Sequence, residues 1–451
     1  MLRSLIERVA SRWARPEPAA QPAAASAAAP AVLAAPAGPY APDAATAPPP
    51  QLSGIGARRP LLSKDGAVAG FEFRLSETLT RRATGPAQAA YVQAILTAMR
   101  ATTGGGRIGL AELPASWLLK PQAKALLSPG MMICLRREAD IDDPSSLRAA
   151  VDVIRTGGAR AGCLVDPPGG IGRGDRPDFL LLRPSERLPL GAMLQSVRRA
   201  AASEQRTCLV ATDLPGLESV ELALEVGIDF ASGSLSAAAE PAEPLPVSPT
   251  TRRLCLLLSR LLRGEDPVRL VEDVKRDVGL SVQLLRHIGS AHHARGRAID
   301  SVEAAVLLLG RDGLYRWLSK VLVRSSGARR TSRAVQEATL ARARLLELLA
   351  ARHGEPHPAS LFTLGLVSML PTLFQTTVGE ALGTIELAPQ ARAALLETSG
   401  PWIGYLELAR AVERQDLDSA GRLAQRFGGL PEVLALAEQA WEWTAEQDAA
   451  G

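Results

Sequence analysis

Hydrophobic and polar positions fall into two regimes along most of the chain. Between about residues 53 and 240, short apolar runs alternate with amphipathic stretches. Arg59–Leu62 and Ala67–Leu75 flank a Lys64-Asp65-Gly66 turn and predict a β-hairpin. Further strands are predicted at Arg107–Ala111, Met131–Leu135, Cys163–Val165, Phe179–Leu182, Cys208–Ala211 and Ile228–Phe230. Helical periodicity separates them at Ala87–Ala101, Trp117–Leu127, Pro144–Arg155, Leu190–Ala201 and Leu217–Val226. So many βα units in succession argue for a parallel sheet closed into a barrel.

After the Pro-rich segment Glu240–Pro249 the two-residue period disappears and the chain reads as helical throughout. Leu254–Leu262, Leu314–Val323, Val335–Ala351 and Ser360–Leu370 are strongly apolar, and further helices open at Pro389, Trp402, Asp418 and Pro431. The best punctuated stretch is Asp266–Gly310. Asp266 can cap a helix with Pro267 in its first position, and Val268, Val271, Val274 and Val278 recur at helical spacing. Gly279 is a natural terminator, and Ser281 can cap a following helix with the face Val282, Leu285, Ile288 and Ala291. Asp300 and Glu303 have capping-box spacing ahead of Val302, Ala305, Val306 and Leu309.

The first 52 residues follow neither pattern. Met1–Arg15 reads as a short amphipathic helix with Leu2, Leu5, Ile6, Val9 and Trp13 on one face, a candidate for peripheral membrane contact or partner docking. Pro16–Pro50 alternates Ala and Pro and cannot bury a core, so a disordered tether is expected. The expected plan is an arm over 1–52, a βα barrel over 53–240 and an all-helical domain over 248–446.

Composition narrows the function classes. Of 451 residues 47% are hydrophobic but only 4% aromatic, so the cores are aliphatic. A net charge of +4 from 51 basic and 47 acidic residues is far from the dense basic surface of a nucleic-acid binder, and none is expected as a partner. The arginines between Arg311 and Arg333, with Tyr315 and Trp317 interleaved, read as a solvated helix face and loop. The four cysteines are far apart with no CxxC, as in a reduced compartment. No apolar run has bilayer length and the N-terminus has no secretory h-region, so a cytoplasmic location is expected.

The run EDVKRDVGLSVQLLRHIGSA…RAIDSVEAAVLLLG resembles the core of HDOD domains, all-helical relatives of HD-type phosphohydrolases that have lost the metal site. Asp277, Leu280, Leu284, Leu285, Ser290, Ile299, Ser301, Leu309 and Gly310 carry the pattern. Where the related hydrolases carry His-Asp, this chain reads Ser368-Met369, and it contains no His-Asp dipeptide. The pair His353 and His357 has ligand spacing, but Gly354, Pro356 and Pro358 break any helix between them.

The preceding domain resembles the EAL family, whose members hydrolyse cyclic di-GMP with two metal ions at the C-terminal mouth of a βα barrel. RRPLLSKDGAVAGFEFRLS corresponds to the family's opening and CLVATDLPGLESVELALEVGIDFASG to its closing segment. The Glu-Ala-Leu position reads Glu72-Phe73-Arg74, and the middle-strand Glu falls in Met132–Leu135. The paired Asp reads Val165-Asp166, the Lys strand reads Leu180–Leu182, the seventh-strand Glu falls near Thr212-Asp213, and the closing Gln-Gly reads Ala231-Ser232-Gly233. Glu72, Asp166 and Asp213 are thus the candidates for a remnant nucleotide pocket; their other reading is helix caps or partners of nearby Arg. The Gly-rich run Pro167–Gly172 is a weak phosphate-loop candidate. Glu380-Ala381-Leu382 spells the tripeptide by chance in the helical half.

The expectation is a degenerate EAL-like α/β barrel joined to an HDOD domain, as in tandem EAL–HDOD proteins. It is a non-catalytic signalling regulator without cofactor, metal or catalytic residues, and its HDOD helices bind protein partners in a sensory or cyclic di-GMP-related pathway. The alternative is a cyclic di-GMP receptor using the degenerate pocket; an active phosphodiesterase ranks below both.

Overall fold

In a computed structural model the described residues are 57–74, 86–136, 144–165, 177–186, 188–200, 207–236, 247–289, 301–327, 329–382 and 387–449. The expected N-terminal helix and tether, Asp166, the Gly-rich run, His292-His293 and most of the Pro-rich linker lie outside them.

The first half alternates strand and helix: β1 (Ala57–Ser63), β2 (Val68–Arg74), α1 (Pro86–Gly104), β3 (Ile108–Pro114), α2 (Ala115–Leu118), α3 (Pro121–Leu126), β4 (Met131–Arg136), α4 (Pro144–Thr156), β5 (Arg160–Leu164), β6 (Phe179–Leu182), α5 (Leu190–Ala200), β7 (Cys208–Leu214), α6 (Leu217–Val226) and β8 (Phe230–Gly233). The strands close into a barrel in sequence order, with β1 antiparallel to both β2 and β8 and the rest parallel. The helix expected over Trp117–Leu127 is two helices. Pro121 lacks an amide hydrogen and forces Lys120 into an extended conformation, so the chain restarts there.

Strand alternation sorts the side chains. Leu61, Leu110, Met132, Cys134, Phe179, Leu181 and Val210 fill the barrel interior. The other face of each strand packs on the surrounding helices.

The helical half comprises α7 (Pro249–Leu262), a 3₁₀ turn (Pro267–Leu270), α8 (Val271–Lys275), α9 (Val278–Gly289), α10 (Val302–Arg324), α11 (Ser332–Arg352), α12 (Pro358–Val367), α13 (Leu370–Phe374), α14 (Val378–Leu382), α15 (Pro389–Leu396), α16 (Ile403–Glu413), α17 (Leu417–Ala424), a second 3₁₀ turn (Gln425–Phe427) and α18 (Leu430–Ala449). Asp266 caps the first turn, its carboxylate accepting from the Val268 amide at 3.0 Å. The next cap is not Ser281. Asp277 accepts from the Leu280 amide at 3.0 Å and starts α9 four residues early, while Ser281 donates to the Val274 carbonyl. The buried face of α9 is therefore Leu280, Leu284 and Ile288, and Val278 and Val282 point outward. Ser301 caps α10 by accepting from the Ala304 amide at 3.2 Å, and Glu303 pairs with Lys275. Gly310, at φ 63° and ψ −170°, bends α10 where the apolar stripe was expected to stop.

The two halves share one continuous core. No helix intervenes between β1 and β2, and helices of the second half cover the outer face of that hairpin. Phe71 on β2 meets Trp441 on α18 edge-to-face with centroids 5.1 Å apart. Around it Arg58 pairs with Glu438, Arg107 with Glu337 at 3.1 Å, and Arg329 with Glu221 on α6 at 3.2 Å. Gly66 permits the closest approach: at φ 78°, a β-carbon there would lie 2.2 Å from the Arg330 carbonyl oxygen. Arg311, Arg324, Arg330 and Arg333 of the arginine-rich stretch are exposed, as expected of a solvated face, and the rest of it is not. Tyr315 and Trp317 are buried, Arg316 pairs with Glu347 at 2.6 Å, and Arg329 and Arg330 reach the barrel half.

Candidate functional site at the barrel mouth

The C-terminal ends of the strands gather one polar cluster. The hairpin register sets Arg59 directly opposite Glu72. Alternation turns both inward above Leu61, because a two-residue step returns to the same face. Arg59 Nη2 donates to Glu72 Oε2 at 2.7 Å and to Asp213 Oδ1 at 2.9 Å, and its Nε donates to the Ser232 hydroxyl at 3.0 Å. Ser232 in turn donates to Glu72 Oε2 at 2.9 Å. Asp213, at the end of β7 with φ 58°, also pairs with Arg74 and, at 2.8 Å, with Arg183 Nε. Arg183 follows β6 and donates from Nη2 to Glu112 Oε2 on β3 at 3.1 Å. The structure therefore brings Glu72 and Asp213 together, as the sequence suggested, but through guanidinium bridges.

Electrostatics follow from that arrangement. Burial pushes the Asp213 carboxyl upward, yet Arg59, Arg74 and Arg183 outweigh it and hold the group below its ordinary value. Burial lowers the Arg183 guanidinium, and Glu112, Asp213 and Glu72 more than reverse that. Cys134, buried on β4, is driven well above the usual thiol value, first by burial and then by Glu112.

The EAL resemblance implies two divalent ions at this mouth, and the residues present do not fit them. Glu72, Glu112 and Asp213 each already neutralise a guanidinium. The inward positions beside them supply a thiol held protonated and a hydroxyl, which are poor ligands for hard cations. Among the described residues no group of three or more His, Cys, Asp or Glu is arranged to hold a metal.

The helical half repeats the theme. Ser368 accepts from Arg342 Nη1 at 2.8 Å, Met369 is buried, and Arg342 Nε pairs with Glu413 at 2.6 Å. His353 and His357 flank the α11–α12 turn on the surface. A cavity of about 50 Å³ lies between the halves, lined by Arg58, Gly233, Arg342, Met369, Glu413 and Trp441, enough for a few waters only.

Sequence reasoning did not single out Arg59, Glu112, Arg183 or Gln415. Arg59 had a signal: two residues before an inward Leu61 and opposite Glu72 across a short turn, it must face the barrel axis. Arg183 lies just past the end of β6, and Glu112 just past the strand expected over Arg107–Ala111, which in the structure runs on to Pro114. Gln415, between α16 and α17, donates to the Glu72 carbonyl from 343 residues away at 3.3 Å, and no local pattern marks it.

Residues 264–392 match the family model described as HDOD domain. The uncharacterized protein YuxH of Bacillus subtilis is 28% identical over 174 residues, 38% of this chain and 42% of that protein. The cyclic di-GMP phosphodiesterase CdgJ of Vibrio cholerae is 25% identical over 253 residues, 55% of this chain and 58% of that one. The chain thus spans about half the length of these curated relatives. Solved structures with a similar part include Klebsiella pneumoniae BlrP1 in a calcium and cyclic di-GMP complex, at TM-score 0.33 and 16% identity over 40% of this chain and 54% of that one. The Xanthomonas citri FimX EAL domain with cyclic di-GMP is similar at TM-score 0.30 and 11% identity over 40% of this chain and 85% of that one. Residues 264–392 thus carry an HDOD match C-terminal to a closed eight-stranded barrel.

Proposed function

We propose that this protein is a non-catalytic regulator in a cyclic di-GMP-related pathway, cytoplasmic, with the barrel near 53–240 and a partner-binding helical domain near 248–446. The observation that carries the reading is the guanidinium pairing of Glu72, Glu112 and Asp213, which occupies the carboxylates a two-metal hydrolysis needs. Partner recognition is supported by apolar side chains left outward on the HDOD segment, Val278 at 75% exposure with Val282, Leu307 and Leu308. The name of the relative CdgJ supports the pathway. The test incubates the purified full chain with cyclic di-GMP and Mg²⁺ or Mn²⁺. No turnover is expected; hydrolysis that disappears in Glu72→Ala overturns the proposal.

A second reading, a cyclic di-GMP receptor, is favoured by Arg74 and Arg183, which are partly exposed at the mouth and able to meet a phosphate. Calorimetric binding at micromolar affinity or tighter that is lost on changing Asp166 or Asp213 selects it.

A further inference from the structure

Three guanidiniums and three carboxylates meet at the barrel mouth, so the cluster carries no net charge. Arg59 and Arg74 come from the hairpin and Arg183 from the end of β6; Glu72, Glu112 and Asp213 come from β2, β3 and β7. Arg59 is nearly fully buried and bound from within by Glu72 and Ser232. Arg183 is partly exposed and alone among the three reaches Glu112. Without it, Glu112 has no cation in this cluster and Asp213 keeps two. A divalent ion placed between Glu112 and Asp213 would overlap the guanidinium and meet its like charge.

We propose that Arg183 is the built-in counter-cation of this barrel: its guanidinium takes the position a divalent ion would need between Glu112 and Asp213, and makes the mouth a metal-independent clasp of β3, β6 and β7. The proposal rests on the reading of the mouth as non-catalytic and adds how metal is kept out. Exchanging Arg183 for a carboxylate leaves four carboxylates facing Arg59 and Arg74, a net charge of −2 that one divalent ion balances.

The test uses the full chain and Mn²⁺, read by paramagnetic resonance titration and by thermal melting in EDTA or millimolar Mn²⁺. The wild type is expected to bind no Mn²⁺ at this site and to melt at one temperature in both buffers. Arg183→Asp is expected to bind one Mn²⁺ at least about tenfold more tightly than any wild-type site, and to melt higher with the ion than in EDTA. Arg183→Gln removes the guanidinium without adding a carboxylate. It should melt below the wild type in EDTA and regain part of the difference with Mn²⁺, and it carries the test if Arg183→Asp does not fold. The proposal is overturned if the wild type takes up Mn²⁺ with micromolar affinity lost in Asp213→Asn, or if a folded Arg183→Asp takes up none. Cyclic di-GMP turnover by the wild type in EDTA would sink the non-catalytic reading and support the clasp; wild-type Mn²⁺ uptake without turnover would sink the clasp alone.

Discussion

Asp213 is the residue on which the barrel mouth converges: three arginines meet at its carboxylate, and its backbone sits at positive φ. Its folded-state pKa lies below the ordinary 3.8, so its charge favours the folded chain. That contribution is complete above the unfolded value and is lost as pH falls through the folded one. Asp213→Asn keeps a side chain that tolerates the left-handed conformation and removes the charge. It should cost about 2 kcal/mol at neutral pH, with the gap from wild type closing below about pH 4. Urea unfolding midpoints across pH measure this, and a gap independent of pH would count against the charge as the cause. The Phe71 ring, on the opposite face of β2 from Glu72, is nearly fully buried against the helical half. Phe71→Ala should cost about 3–5 kcal/mol in the same assay.

Among the elements, strand and helix order could be read in advance, while several boundaries could not. Every expected strand appears within a few residues of its expected place, because alternating apolar runs between turn residues admit little else. Helix starts were less legible. Asp277 and Ser281 are both good cap residues, and only the burial of Leu280 and Leu284 decides for the earlier one. Val278 and Val282, expected on the apolar faces of two successive helices, both point outward from α9, since Leu280, Leu284 and Ile288 at the same spacing took the core. Asp277→Ala should therefore cost about 1 kcal/mol through the lost cap, and Ser281→Ala less, in denaturant melts. Gly310 adopts a backbone conformation that is essentially restricted to glycine, with open space around it. Gly310→Ala should cost about 1–3 kcal/mol through strain alone, and the loss should be equal at any substituent size up to Ser. The mouth was half legible: the EAL resemblance led to Glu72 and Asp213, whereas their arginine partners come from three strands or strand ends, β1, β2 and the end of β6, and only closure of the barrel brings Arg183 to the other two.

For the whole molecule, the barrel and the helical domain are parts of one packed body. The helix that a βα barrel would place between its first two strands is missing, and α11 and α18 stand in its place. Residues 53–240 made alone would expose Phe71 and leave Arg58 and Arg107 without Glu438 and Glu337. That fragment should elute as aggregate on size exclusion at concentrations where the full chain is monodisperse, and a monodisperse, cooperatively melting fragment would contradict the shared core.

Strand β2 turns Glu72 toward the charged cluster and Phe71 toward Trp441, while Gln415 holds the peptide that follows Glu72. A pleated strand is stiff across its width, so a tilt of a few degrees that relaxes one compartment must press on the other. Whatever docks on α18 or the α16–α17 corner therefore leans on the arginine cluster through this one short strand.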